Sequence, residues 1–416
     1  MQTNLTKWIW KSNHLWGKMR RFAFIIVMNV FLLGLPQQAR AQSGIEVTDV
    51  GVFDDFGQHV TFQARIQSPI QIVSATLVFT DNFDEIARRF PLEVGADGVV
   101  TYRYDVVQNV LRPFVTITFW FDVTLLDGQT VRSPNYHVQY LDDRFVWQQR
   151  TDELLRVHWY EGDEAFGDAL LDVARRGLNA VNTFIPAPTI APVDVYVYAS
   201  AADLQNALFL GGEEWQGGHA NPKLGVVMVA ITPGPGQSIE METLIPHELA
   251  HVMLYRGVGD GYAALPVWLS EGIASLVELY PNPDYAQALT LASQNSSLLS
   301  IADLCDSFPP DASRAYLAYA ESQSFVRFLR DTYGTPALFS LTSAYADGLS
   351  CDQGVVRTLG TSLANLDTRW REAELGANVL GVFLRNMFPY LALFGLLLLI
   401  PVIGFLQERP KDDGTG

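Results

Sequence analysis

The sequence predicts an α+β protein: an antiparallel β-sandwich, then an α+β domain on a small mixed sheet, then an apolar C-terminal helix. Three observations predict it. From about residue 44 to 141, apolar residues recur at every second position between turn signals. From about Asp152, strand-like and helix-like periods alternate before a long helical stretch. Met387 to Leu406 is a run of 20 residues without a charge. At 416 residues, 49% of them hydrophobic, the chain has material for two packed domains and flanking segments.

The N-terminus contains "KMRRF", "FAFIIVMNVFLLGL" and "QQARA", the basic, apolar and small-residue parts of a secretory signal ending at Ala39-Arg40-Ala41. A signal peptide is therefore expected over residues 1–41, with Met19 as an alternative start and an uncleaved anchor as the alternative fate. This segment holds six of the 28 Lys and Arg and no acids, so its removal takes the net charge from −17 to near −23. Such an acidic chain disfavours nucleic acid and anionic lipid surfaces as partners.

Residues 42–143 are the predicted sandwich. "VTFQARI" puts Val60, Phe62, Ala64 and Ile66 on one face, and "FVTITFWFDVTL" does the same with Val115, Ile117, Phe119, Phe121 and Val123. "IQIVSATLVFT", "GVVTYRYDVV" and "TVRSPNYHVQYL" are further strands, separated by turns such as "ADG" and "DGQ". Several short strands in about 100 residues suggest an immunoglobulin or fibronectin type of sandwich. His59 and His137 read as surface residues there.

The second domain is expected over 144–376. "LLRVHWY" reads as a strand and "DEAFGDALLDVARRGLNAVNTF" as a helix. "VDVYVYAS" is a second strand, "AADLQNALF" a short helix, "GGEEWQGGHANP" a Gly-rich loop and "GVVMVAIT" a third strand. A linker over 377–386 leads to a transmembrane helix over 387–406, long enough for the ~30 Å hydrocarbon core, and a cytoplasmic tail over 407–416. Cys305 and Cys351 are the only cysteines. An even pair in an exported chain suggests one disulfide, with two buried thiols as the alternative.

The chemistry concentrates in "LIPHELAHVMLYR". Positions i and i+4 of a helix lie about 40° apart, so His247 and His251 present both imidazoles to one point. Glu248 projects further round, where it reaches a water rather than the same ion. The helix is expected to begin in "SIEMET" with Ser238 as N-cap, so Pro246 either kinks it or marks a later start. A metzincin extension would require glycine in place of Leu254 and histidine in place of Gly257, and that reading fails. Twenty residues beyond His251, "LPVWLSEGIASLVELY" offers Glu271 at the start of an amphipathic helix.

With "IPHELAH", "WLSEGIA" and the downstream "AYLAYAESQSFVRFL", the stretch from about Asp152 to Gly376 resembles the gluzincin zinc peptidases. It is closest to the peptidase MA-like family, distantly similar to the M1 aminopeptidases. The resemblance implies a zincin-like fold, a Zn²⁺ ion held by His247, His251 and Glu271, and Glu248 as general base. Tyr319, in a segment placed like the relatives' Tyr-x-x-Gly, is the implied oxyanion donor. Ser322 stands where the glycine would be, and Tyr316 is the alternative. The relatives' Gly-x-Met-Glu-Asn segment is absent, the strand in the comparable place being "GVVMVAIT". Peptide or protein is the implied substrate, with the edge of that strand as a pairing surface. Ser275 stands where some gluzincins carry an aspartate that supports a ligand. His219 lines the cleft, serves as a substitute ligand or makes a structural hydrogen bond, and His158 packs or faces solvent. A non-catalytic surface protein that binds peptide or envelope material is the competing class.

Overall fold

The computed structural model describes residues 44–185, 191–208, 217–376 and 387–390. The chain divides into a unit through Gly44 and a unit from Ile45 onward, and the architecture below belongs to the second.

Eight strands form the N-terminal part. β1 (Glu46–Asp55), β2 (His59–Gln67), β3 (Ile72–Asp81), β4 (Arg88–Leu92), β5 (Val99–Asp105), β6 (Thr116–Leu125), β7 (Thr130–Arg132) and β8 (Tyr136–Gln139) pair antiparallel in two sheets. One sheet runs β1-β2-β5, and the other runs β4-β3-β6 with β7 and β8 both on β6. The faces expected from period two are the ones buried. Val60, Phe62, Ala64 and Ile66 meet Ile117, Phe119, Phe121 and Val123, all at or below 1% exposure. Phe62 stacks on Phe79 and meets Phe119 edge-on at 5.1 Å between centroids. "TVRSPNYHVQYL" forms two strands rather than one, divided around Pro134, which has no N–H for a ladder. His137 is exposed, as expected, and His59 is partly covered by the neighbouring Arg103.

The second part carries β9 (Gln148–Thr151), β10 (Leu155–Trp159), α1 (Glu164–Asn182), β11 (Val193–Tyr198), α2 (Ala201–Leu208), β12 (Gly218–Asn221) and β13 (Val226–Ala230). Its sheet order is β12-β13-β11-β10-β9, parallel in the middle and antiparallel at both edges. The helices α3 (Gln237–Val258), α4 (Val267–Leu276), α5 (Tyr285–Gln294), α6 (Ala312–Tyr333), α7 (Thr335–Ala346), α8 (Cys351–Leu359) and α9 (Leu363–Leu375) follow. This is the expected α+β arrangement.

The sheet buries both faces. Val193, Val195, Val197, Val227 and Val229 point into the helical core with α1 and α3, while Tyr196, Tyr198, Val226 and Met228 share a core with the sandwich. That alternation makes "VDVYVY" apolar on both sides. The sandwich thus packs directly against the sheet, and no polar linker separates them at residue 143. Asp142, fully buried, binds Arg144 and accepts from the Tyr198 hydroxyl at 3.0 Å, while its carbonyl accepts from the Trp147 indole. His158 packs inside this layer, stacked on Tyr196 and 2.8 Å from Asp194.

Among the described residues no helix is long and apolar enough to cross a membrane. The expected signal peptide and the expected span over 387–406 lie outside them, apart from the helical turn at 387–390. Cys305 and Cys351 form a disulfide, which closes a loop of 46 residues and stabilises by roughly 4 kcal/mol in the chain-entropy model.

Candidate metal centre

The motif lies in the second half of α3. Pro246 sits inside this helix, which runs unbroken from Gln237, capped by Gly236 rather than by Ser238. Proline removes the hydrogen bond to the carbonyl of Glu242. That carbonyl instead accepts from the backbone N–H of Leu279 at 2.9 Å and of Tyr280 at 3.3 Å, just beyond the end of α4. The group freed by Pro246 therefore ties the motif helix to the helix that carries Glu271.

The other end of α4 is pinned too. The Val267 N–H donates to the Cys305 carbonyl at 2.9 Å, and the Trp268 indole donates to Cys351 Sγ, so the disulfide flanks the helix start. Gly272 lets α4 lie on α6, since a Cβ there would sit 2.6 Å from the Ser322 carbonyl oxygen. The Ser-Glu-Gly order thus combines a carboxylate with a close helix crossing.

These constraints bring His247, His251 and Glu271 together, each offering one atom within 4.8 Å of the others. Glu271 Oε2 lies 3.3 Å from His247 Nε2, and Oε1 lies 3.6 Å from His251 Nε2. Ligands about 2.05 Å from a tetrahedral ion are about 3.3 Å apart, so each of the two carboxylate–imidazole separations is of the size that zinc ligands show. Oε2 is buried yet makes no well-directed hydrogen bond among the described residues, despite the nearby imidazole. An acceptor held without a donor is what a cation would satisfy.

Each imidazole is held from behind. His247 Nδ1 is 3.0 Å from Glu278 Oε1, and His251 Nδ1 is 2.9 Å from the hydroxyl of Tyr262 in the 3-10 turn Gly259–Ala264. Burial alone would lower both rings. Glu271 and Glu278 nevertheless carry His247 well above its ordinary value. His251 stays down at about 4, with Glu271 only partly offsetting burial. Burial would raise Glu271, but the two imidazoles hold its carboxyl below the usual range. Burial raises Glu278.

Glu248 faces β12. Burial, with Glu271 and Glu278 nearby, pushes its carboxyl up to about 7, against the lowering influence of His247 and the Ala220 backbone. Gly218 makes room, since a Cβ there would be 2.6 Å from Glu248 Oε1. Gly218, His219, Ala220, Pro222, Glu248, His251, Tyr262 and Glu271 line one cleft of about 480 Å³, counting its open mouth. The edge of "GVVMVAIT" expected to meet substrate is taken by β12, so the pairing edge beside the cleft belongs to β12. The Gly217 carbonyl accepts from Ala230, and antiparallel alternation then turns the backbone groups of Gly218 and Ala220 away from β13. His219 lines the cleft.

Tyr319 on α6 stands beside His247, with ring centroids 6.3 Å apart, and packs edge-on against Phe308. Tyr316 instead donates to Asn282 Oδ1 at 3.0 Å and packs on Tyr285. Of the two candidate oxyanion donors, Tyr319 is the one beside the cluster.

Residues 173–375 match the family model of the peptidase MA superfamily. This segment is a peptidase MA-like domain. No curated protein gives a significant match to the chain. Among solved structures, an M1 zinc metallopeptidase variant from Deinococcus radiodurans is 13% identical, covering 80% of this chain and 95% of that one at a TM-score of 0.39. The same enzyme with a Tyr-Ser-Ala substrate gives 14%, 81%, 95% and 0.37. OgpA from Akkermansia muciniphila is 18% identical over 23% of this chain and 28% of its own length, at 0.19.

Within the peptidase MA-like domain, the structure clusters His247 with His251 and Glu271, lines one cleft with Glu248, His251 and Glu271, and sets Tyr319 next to His247. Sequence reasoning missed Glu278, Tyr262 and the cleft-lining strand β12. Glu278 lies past the end of α4, where helical spacing no longer applies, and Tyr262 lies in a turn with no period to read.

Proposed function

We propose that the chain is a zinc metallopeptidase of the gluzincin type, hydrolysing peptide bonds outside the cytoplasm while anchored to a membrane. The observation that carries this reading is the convergence of His247, His251 and Glu271, each offering one atom within 4.8 Å of the others, beside a buried Glu248 at the cleft. Those three residues would hold the zinc ion. When bound, the ion supplies Lewis-acid chemistry, polarising a carbonyl and bringing a water's pKa toward neutrality.

The chain's own groups do the rest. Glu248, with a carboxyl near neutrality, accepts a proton from the attacking water and returns it to the leaving amine. Tyr319 is the donor aimed at the developing oxyanion. An extended peptide pairs with the open edge of β12 through Gly218 and Ala220. The signal-like N-terminus and the apolar run 387–406 support an exported, single-pass placement with the tail 407–416 inside.

The test is Glu248→Gln in the full chain, assayed on a denatured-protein substrate with zinc content measured alongside. Hydrolysis is expected to fall by about 10²–10⁴-fold with zinc retained. Unchanged hydrolysis sinks the mechanism.

A further inference from the structure

Resting on the zinc reading above, we propose that Glu278 and Tyr262 are a pair of positioning residues that set the site's affinity for a divalent metal, one behind each imidazole. A metal-binding imidazole must offer one nitrogen as a lone pair, and the hydrogen bond at its other nitrogen fixes which one and in which orientation. At both histidines here it is Nε2 that faces Glu271, leaving Nδ1 to the supporting residue.

The two supports differ in charge and origin. Glu278 is 8% exposed, and its Oε1 is placed to accept from the Nδ1–H of His247. Ser275, one turn earlier on α4 and fully buried, has no charge to offer. The carboxylate therefore comes from the first turn beyond the helix. That turn is held in place by the N–H groups of Leu279 and Tyr280, which donate to the carbonyl freed by Pro246. Pro246, at first sight a defect in the motif helix, thus anchors the residue that orients the histidine next to it. Tyr262 lies between α3 and α4, lines the cleft, and meets His251 with a neutral hydroxyl. An anionic support makes its imidazole the more basic ligand, so His247 is the ligand more dependent on its partner.

The experiment is a zinc competition titration against a chromogenic chelator. It uses the full chain and the variants Glu278→Ala, Glu278→Gln and Tyr262→Phe, with circular dichroism to check folding. Loss of an outer partner costs about 10–100-fold in metal affinity. Glu278→Ala is expected at the upper end and Tyr262→Phe at the lower. Glu278→Gln, which keeps an acceptor but not the charge, should recover part of the loss if Glu278→Ala folds, and replaces it as the test if it does not. Affinities of Glu278→Gln and Tyr262→Phe within twofold of the unaltered chain overturn the inference and leave the zinc reading standing. An unaltered chain that binds no zinc overturns both.

Discussion

In the N-terminal sandwich and at its seam with the sheet, each buried acid has an arginine. Asp81 pairs with Arg88, Asp122 with Arg89 and Arg132, and Asp142 with Arg144. In the helical half, Glu248, Glu271, Glu278 and Glu321 are buried or nearly so, and among the described residues none has an arginine or lysine within ion-pair distance. Glu248, Glu271 and Glu278 neighbour imidazoles, backbone groups, the Ser275 hydroxyl and one another, and at Glu321 a more distant Arg371 only partly offsets burial. A permanent cation fixes a carboxylate's charge and closes the site to anything else. Carboxylates without one leave a place for a metal ion or a proton. The difference separates a half whose buried carboxylates are fixed by arginine from one whose buried carboxylates are not.

That contrast can be broken in three ways, in order of expected effect. Phe119→Ala empties the middle of the sandwich core, where Phe119 is 1% exposed and packs on Phe62, Phe121 and Tyr136. Denaturant unfolding should show a loss of about 3–5 kcal/mol, with zinc content of the folded fraction unchanged. A fall in zinc content without a loss of stability would show that the sandwich is no mere support. Tyr319→Phe should lower kcat by about 10²-fold, the scale of one oxyanion donor, while Tyr316→Phe leaves it alone. Equal effects from both would remove Tyr319 from the site.

The smallest effect concerns Glu321, which accepts from the Leu299 N–H and whose other oxygen has no hydrogen-bond partner among the described residues. Burial pushes its carboxyl up to about 8 in the folded chain, from an ordinary 4.5. The folded state then keeps a proton that the unfolded state has lost, so this residue's contribution to stability declines as pH rises from about 4.5 to 8. Glu321→Gln mimics the protonated form and should flatten that part of the Tm-versus-pH curve. An identical slope in both proteins would refute the assignment.

Much of this was legible in the sequence because the physics is periodic. Val60 to Ile66 and Val115 to Val123 alternate because one face of each strand meets an apolar core. The spacing of His247, Glu248 and His251 encodes a shared direction on one helix. What could not be read depends on groups brought together by tertiary packing. β12 is four residues from a Gly-rich stretch, too short and too small-chained to show a period. The seam between sandwich and sheet is hidden because an apolar strand looks alike whether helices or another sheet cover its second face. The role of Pro246 depends on two N–H groups more than thirty residues away.

Zinc binding at this cluster is tested most directly by the zinc content of the purified full chain after zinc loading and desalting, set beside Glu271→Ala. One zinc per chain is expected in the unaltered protein and a marked loss in the variant. A well-folded, unaltered chain that retains no zinc would contradict it.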